Sequence, residues 1–203
     1  MIQLLDRKVR QMHAALEGLS TDDLSTIELT TGATPTLYYA AIDFSGNQVN
    51  LANTATLLVT NIACLKDHLK AWCQKNGRPF EGDDLINSDR EVPIVHDLWN
   101  LDKHAELNRP PRSGFRPEIR NLRRPLRLST GTGAGSEALF MFDPRTGTMT
   151  FRASGTGSVS LQLQGEVVDE SGRVVGEFSA ICEKAAVGWE GALLRAGVPI
   201  PAR

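Results

Sequence analysis

Apolar residues return at helical intervals from the start of the chain: Leu4, Leu5, Val9, Met12 and Leu16 share one face before Gly18 and predict a short amphipathic helix. Between Thr26 and Phe44 the stretches TIELTT and LYYAAIDF are rich in β-branched and aromatic residues. They read as two short extended segments, the second also compatible with a helix. The strongest periodicity covers Leu51 to Gln74, where Leu51, Ala55, Leu58, Ile62, Leu65, Leu69, Trp72 and Cys73 fall on one face and predict a long core helix. Asn76-Gly77 should end it in a left-handed residue, and Arg78-Pro79 keeps it from resuming. A polar loop is expected to about Arg90. Pro93 then suits the first turn of a second helix running to about Leu107, before Pro110-Pro111.

The periodicity changes further on. ALFMF and TMTFRAS flank a turn at Asp143 to Gly147, VSLQLQGEVV alternates apolar and polar residues, and the turn Asp169 to Gly172 joins it to RVVGEF. Phe178, Ile181, Cys182, Ala185, Trp189, Leu193 and Ala196 define a closing helix that ends at Gly197 and Pro199. The pattern predicts an α+β fold, a long helical hairpin packed with a small antiparallel sheet and a C-terminal helix. A single domain over residues 1–203 is expected, helical over about 48–108, with the sheet and last helix over about 118–197.

With 203 residues, 41% hydrophobic and 23% charged, the chain has the composition of a folded protein rather than a disordered one. A net charge of -2 argues against a surface that is basic throughout. The N-terminal stretch carries Asp6, Lys8 and Arg10 where a secretory signal would be apolar, and no run of about 18 apolar residues is present, so a soluble, cytoplasmic protein without membrane contact is expected. Cys64, Cys73 and Cys182 lack paired spacing and read as reduced core or near-core thiols.

Chemistry concentrates on the second helix. At about 100° per residue, Ile94, Leu98, Leu101 and Ala105 form an apolar arc expected to dock on the long helix, while His96, Asp97, Asn100, Lys103 and His104 share about a third of the circumference. Imidazoles, an amide and an ammonium on one side are the groups needed to move a proton and to hold a phosphate. The competing reading is a solvated polar face. His96 and His104 stand two turns apart, about 12 Å along the axis, too far for one metal ion to join them; with no cysteine pair nearby, no metal is expected. His68, at the edge of the long helix, reads as a hydrogen-bonded boundary histidine.

The stretch CLKDHLKAW, a loop, and then VHDLWNLDKHAEL resembles the helical pair of uncharacterised bacterial proteins related to HEPN domains, over Leu51 to Leu107. The resemblance implies an accessory or phage-defence protein that binds RNA or another protein subunit, with a homodimer among its arrangements and metal-independent ribonuclease activity in the catalytic members. Those members are similar in carrying an arginine, often followed by a polar residue, then four to six residues and a histidine. If the histidine is His104, the positions five to seven before it are Trp99, Leu98 and Asp97, none an arginine; Arg90 and His96 match the spacing, but Pro93 intervenes. The catalytic candidates are His104 with Lys103, His96, and Asn100 orienting a phosphate. The alternative is a non-catalytic structural or assembly module.

Arg109, Arg112, Arg116, Arg120, Arg123, Arg124 and Arg127 follow, opposed only by Glu118. Such a segment can track a nucleic-acid backbone, since guanidinium pairs with phosphate in a bidentate fashion, and Arg112, Arg116, Arg120, Arg123 and Arg124 are the candidate RNA contacts. A solvated connection leading into one strand is the plainer reading. The glycines at 131, 133 and 135 are followed by a strand-like stretch, so they read as a flexible loop; no cofactor is expected. A small-molecule enzyme would need a deep pocket where the helix pair meets the sheet.

Overall fold

A computed structural model describes residues 2–17, 28–30, 48–104, 109–129, 134–143, 145–146, 148–161 and 163–200. In chain order the elements are α1 (Ile2–Glu17), β1 (Glu28–Thr30), α2 (Gln48–Ala63), α3 (Leu65–Asn76), α4 (Gly82–Ser88), α5 (Val92–Lys103), β2 (Glu118–Arg123), β3 (Leu126–Ser129), β4 (Glu137–Asp143), β5 (Thr148–Ser154), β6 (Ser158–Leu161), β7 (Gln164–Val168), β8 (Val174–Glu177) and α6 (Phe178–Ala196). The fold is α+β, as the pattern predicts. The chain forms two compact units, one from Met1–Glu17, Val49–Leu122 and Gly165–Arg203, the other from Gly18–Gln48 and Arg123–Gln164.

In the first unit α6 is the hub, touching α1, α3, α4, α5 and β8. Phe178, Cys182, Ala185, Ala186, Trp189 and Leu193 are buried along one broad face of it. A Cβ on Gly188 would stand 3.1 Å from Val92 Cγ2, so the missing side chain lets α5 lie close against α6. Three α6 predictions hold: its start at Phe178, its buried face, and its end at Gly197, which is left-handed at φ 84°. The α1 prediction holds too, with Leu5, Val9 and Met12 buried.

The expected long helix is divided in two at Cys64. There ψ tightens to -13°, and the thiol reaches the Asn61 carbonyl at 3.5 Å while the amide keeps its bond to Thr60. The side chain's use of an i−3 acceptor accompanies a local tightening of the turn. Gly77, at φ 61°, ends α3 as predicted. The expected polar loop after it contains α4, whose acidic first turn, Asp83 and Asp84, suits a helix N-terminus. Seven residues with one fully buried apolar side chain, Ile86, offer too few turns for periodicity to register.

The arginine-rich connection leads not into one strand but into two, β2 and β3. In the first unit the strand order is β2-β7-β8, with β7 and β8 antiparallel across a turn. The Asp169 carboxylate organises that turn by accepting from the amides of Ser171 and Arg173. The alternating stretch read as one strand is likewise two, β6 and β7. In the second unit β4 and β5 form the predicted hairpin, in register from Glu137↔Ser154 to Asp143↔Thr148, β1 pairs with β5, and β3 pairs with β6. Residues 31–47, which include the second predicted extended segment, and Gly131 and Gly133 lie outside the described residues. Ala134 and Gly135 form a turn into β4.

Candidate functional site

The start of α5 is set by Asp89, whose Oδ1 accepts from the amides of Glu91 and Val92 at 2.8 Å each, two donors left without an intrahelical partner. From Val92 to Leu98 every residue is buried, His96 at 7% and Asp97 at 2% exposure. The predicted polar face is therefore not solvated over its first two members. Its groups are satisfied internally. Asn100 Nδ2 and His96 Nδ1 lie 2.9 Å apart, and Asp97 Oδ2 accepts from both the amide and the hydroxyl of Ser113, at 2.8 and 2.7 Å. Burial holds the His96 pKa down at about 4, helped by the positive charges of Lys66 and Arg112, so the ring is neutral at pH 7.

The C-terminal end of α5 differs. His104 is exposed and already extended, with φ -131° and ψ 113°, and its amide closes the helix on the Asn100 carbonyl at 2.9 Å. The described helix ends at Lys103, short of the expected Leu107. Lys103 is exposed and lays its ammonium 4.9 Å from the centre of the Trp99 ring. His96 and Asn100 are brought together, then, while His104 and Lys103 lie at the exposed helix end. His68 belongs elsewhere. Half-buried on α3, it has a pKa lowered by burial and by Lys8 of α1, the helix against which α3 packs.

The arginines are ordered by local partners. The Asp97–Ser113 clasp anchors the loop before β2, Ser113 also donates to the Phe115 carbonyl, and the Arg116 amide donates to Glu170 at 3.0 Å. Arg112 lies 3.6 Å from Asp83, which Lys66 also holds at 2.9 Å, and Arg120 pairs with Glu118 at 2.7 Å. The carboxylates that oppose this segment are thus mostly distant in sequence, coming from α4 and from the turn after β7. Arg123 ends β2, Arg124 follows it, and Arg127 lies in β3.

Where the helix pair meets the sheet, the place a small-molecule site would need, there is a cleft whose lining the sequence reading did not name. A cavity of about 300 Å³ opens where α2, α5 and β2 meet, within the first unit. From α2 come Ala52, Ala55, Thr56, Val59 and Thr60. Leu98, Trp99 and Asp102 face it from α5, and Glu118, Ile119 and Leu122 from β2. Strict alternation would turn Ile119 and Leu122 to opposite faces of β2. Asn121, left-handed at φ 54° and held by a 2.6 Å bond to Glu166, resets the alternation so that both line the cleft. The one sequence signal for the cleft is the row of small residues at helical spacing on α2, Ala52, Ala55, Thr56 and Thr60, which leaves room beside that helix.

Among the described residues no helix is long and apolar enough to cross a membrane. No family model, no curated protein and no solved structure matches the chain.

Proposed function

We propose that the protein is a non-catalytic binding module, an HEPN-like accessory protein that works by holding another molecule rather than by cleaving RNA. The observation that carries this reading is the cleft of about 300 Å³ at the junction of α2, α5 and β2. It stands at the lower end of the roughly 300–1,000 Å³ of small-ligand sites, and its walls are mostly apolar with a few polar groups. Among the described residues no base and cation converge on one point, which supports the same reading. Proton transfer to and from a ribose hydroxyl needs a base and a cation within hydrogen-bond reach of one point. Here the buried His96 has its Nδ1 committed to Asn100, the buried His13 has its Nε2 against Glu190, and His104 sits at the exposed end of the helix.

The test has two arms. Incubation with labelled single-stranded RNA without divalent metal should leave the RNA intact, and calorimetric titration with 4-phenylbutan-1-ol, a neutral apolar probe, should give saturable heat that Ala52→Trp removes by filling the cleft from its exposed edge. Metal-independent cleavage that His104→Ala abolishes would overturn the reading.

A second reading is favoured by one observation, the anchored loop that presents Arg109, Arg112 and Arg116 ahead of Arg120. On that reading RNA phosphates are held without cleavage. Binding would fall steeply with salt, and Arg109→Ala with Arg116→Ala would reduce the salt slope on single-stranded RNA by about 1.4.

A further inference from the structure

The charged side chains lining the cleft are both carboxylates, Asp102 on α5 and Glu118 on β2. Glu118 shares its charge with Arg120 at 2.7 Å, which also holds its carboxyl below the usual range. Asp102 is exposed and has no ion pair among the described residues. One carboxylate thus faces the cleft without a fixed counter-ion, at the rim of an otherwise apolar cavity. Such an exposed charge attracts a cation without the desolvation penalty of a buried pair.

The aromatic wall points the same way. Trp99 lines the cleft, and its ring carries the Lys103 ammonium 4.9 Å from its centre, a place that a ligand ammonium takes by displacing this exposed side chain into solvent. An indole is the best of the aromatic side chains at holding a cation on its face. The hydroxyls of Thr56 and Thr60 on the α2 wall can accept hydrogen bonds from an N–H group. Ala52, Ala55, Val59, Leu98, Ile119 and Leu122 offer nothing polar to the body of a ligand.

We infer that the cleft between α2, α5 and β2 binds an organic monocation, an amine with an apolar body of about ten to fifteen heavy atoms. The apolar body fills the space between Ala55, Val59, Ile119 and Leu122, and the ammonium sits at the rim against Asp102 and the Trp99 ring. This rests on the reading of the cleft as the functional site, and it adds the sign of the ligand's charge.

Three probes of one shape separate the two claims: 4-phenylbutylamine, 4-phenylbutan-1-ol and 4-phenylbutyrate, titrated calorimetrically into the full chain. The amine should bind about tenfold more tightly than the alcohol, and the carboxylate more weakly than either. Asp102→Asn should remove most of the amine's advantage over the alcohol. Ala52→Trp, at an exposed helix position, should abolish binding of all three while circular dichroism shows the fold intact. Equal binding of amine and alcohol, insensitive to Asp102→Asn, overturns the charge preference and leaves the cleft reading standing. If none of the three binds, both fall.

Discussion

Over Val92–Leu98 the helix α5 is buried on every side, and over its last turn, from Asp102 on, it lies exposed, yet both stretches carry histidine beside a charged residue. In the first, His96 and Asp97 have been drawn into the protein and given fixed partners, Asn100 and Ser113. In the second, Lys103 and His104 stay at the surface, one against Trp99 and the other ending the helix. What separates them is how far α6 and α4 cover the helix. Where they pack, a polar side chain is affordable only with its hydrogen bonds made internally, and such a group stabilises the fold rather than reacting.

The sharpest way to break this contrast is at Asp97. Its carboxylate is 2% exposed and accepts two bonds from Ser113. Asp97→Ala removes both and leaves the Ser113 amide without its acceptor, so urea unfolding should show a loss of about 3–4 kcal/mol. A loss below about 1 kcal/mol would mean that the clasp does not hold the loop.

The next effect belongs to His96 and depends on pH. The folded ring titrates at about 4 against an ordinary 6.5. As pH falls the unfolded chain therefore takes the proton first, so the stabilisation is complete above about 6.5, declines between 6.5 and 4, and is flat below. The whole span is worth about 3 kcal/mol. His96→Gln should lack this part of the pH dependence, which unfolding curves at pH 7, 5.5 and 4 would reveal. An unchanged profile would place the imidazole in solvent.

The contrast also explains what could be read in advance. Periodicity located α1, α6, the β4–β5 hairpin and the left-handed end at Gly77, because each depends on neighbours in sequence. It missed α4, too short to show a period, and the break at Cys64, where Sγ reaches Asn61 O. On α5 the wheel set His96 and Asn100 on one side, and they bond one turn apart, whereas His104, expected on the same side, lies past the helix end in extended backbone. Burial, however, depends on which elements arrive from elsewhere, and Ser113 lies sixteen residues beyond Asp97. The arginine run looked opposed by Glu118 alone for the same reason, since Asp83 reaches Arg112 from α4 and Glu170 accepts from the Arg116 amide. The cleft needed three elements and one left-handed asparagine, and only the small residues of α2 hinted at it.

The smallest expected effect tests the exposed half. His104 is exposed, with an extended backbone whose only recorded bond among the described residues runs from its own amide to the Asn100 carbonyl, a bond any residue but proline supplies. Replacing the ring by a methyl group removes no buried contact, and surface changes of this kind shift stability by less than about 0.5 kcal/mol. His104→Ala should therefore unfold at the same urea concentration as the unaltered chain and bind 4-phenylbutylamine with the same affinity, since the cleft walls do not include it. A stability loss above about 1 kcal/mol would show that the end of α5 is covered as its beginning is. Were both histidines to matter equally to folding, the division of α5 into a sealed half and an open half would be lost, and with it the reason for placing ligand binding at Asp102 and Trp99 rather than at His96.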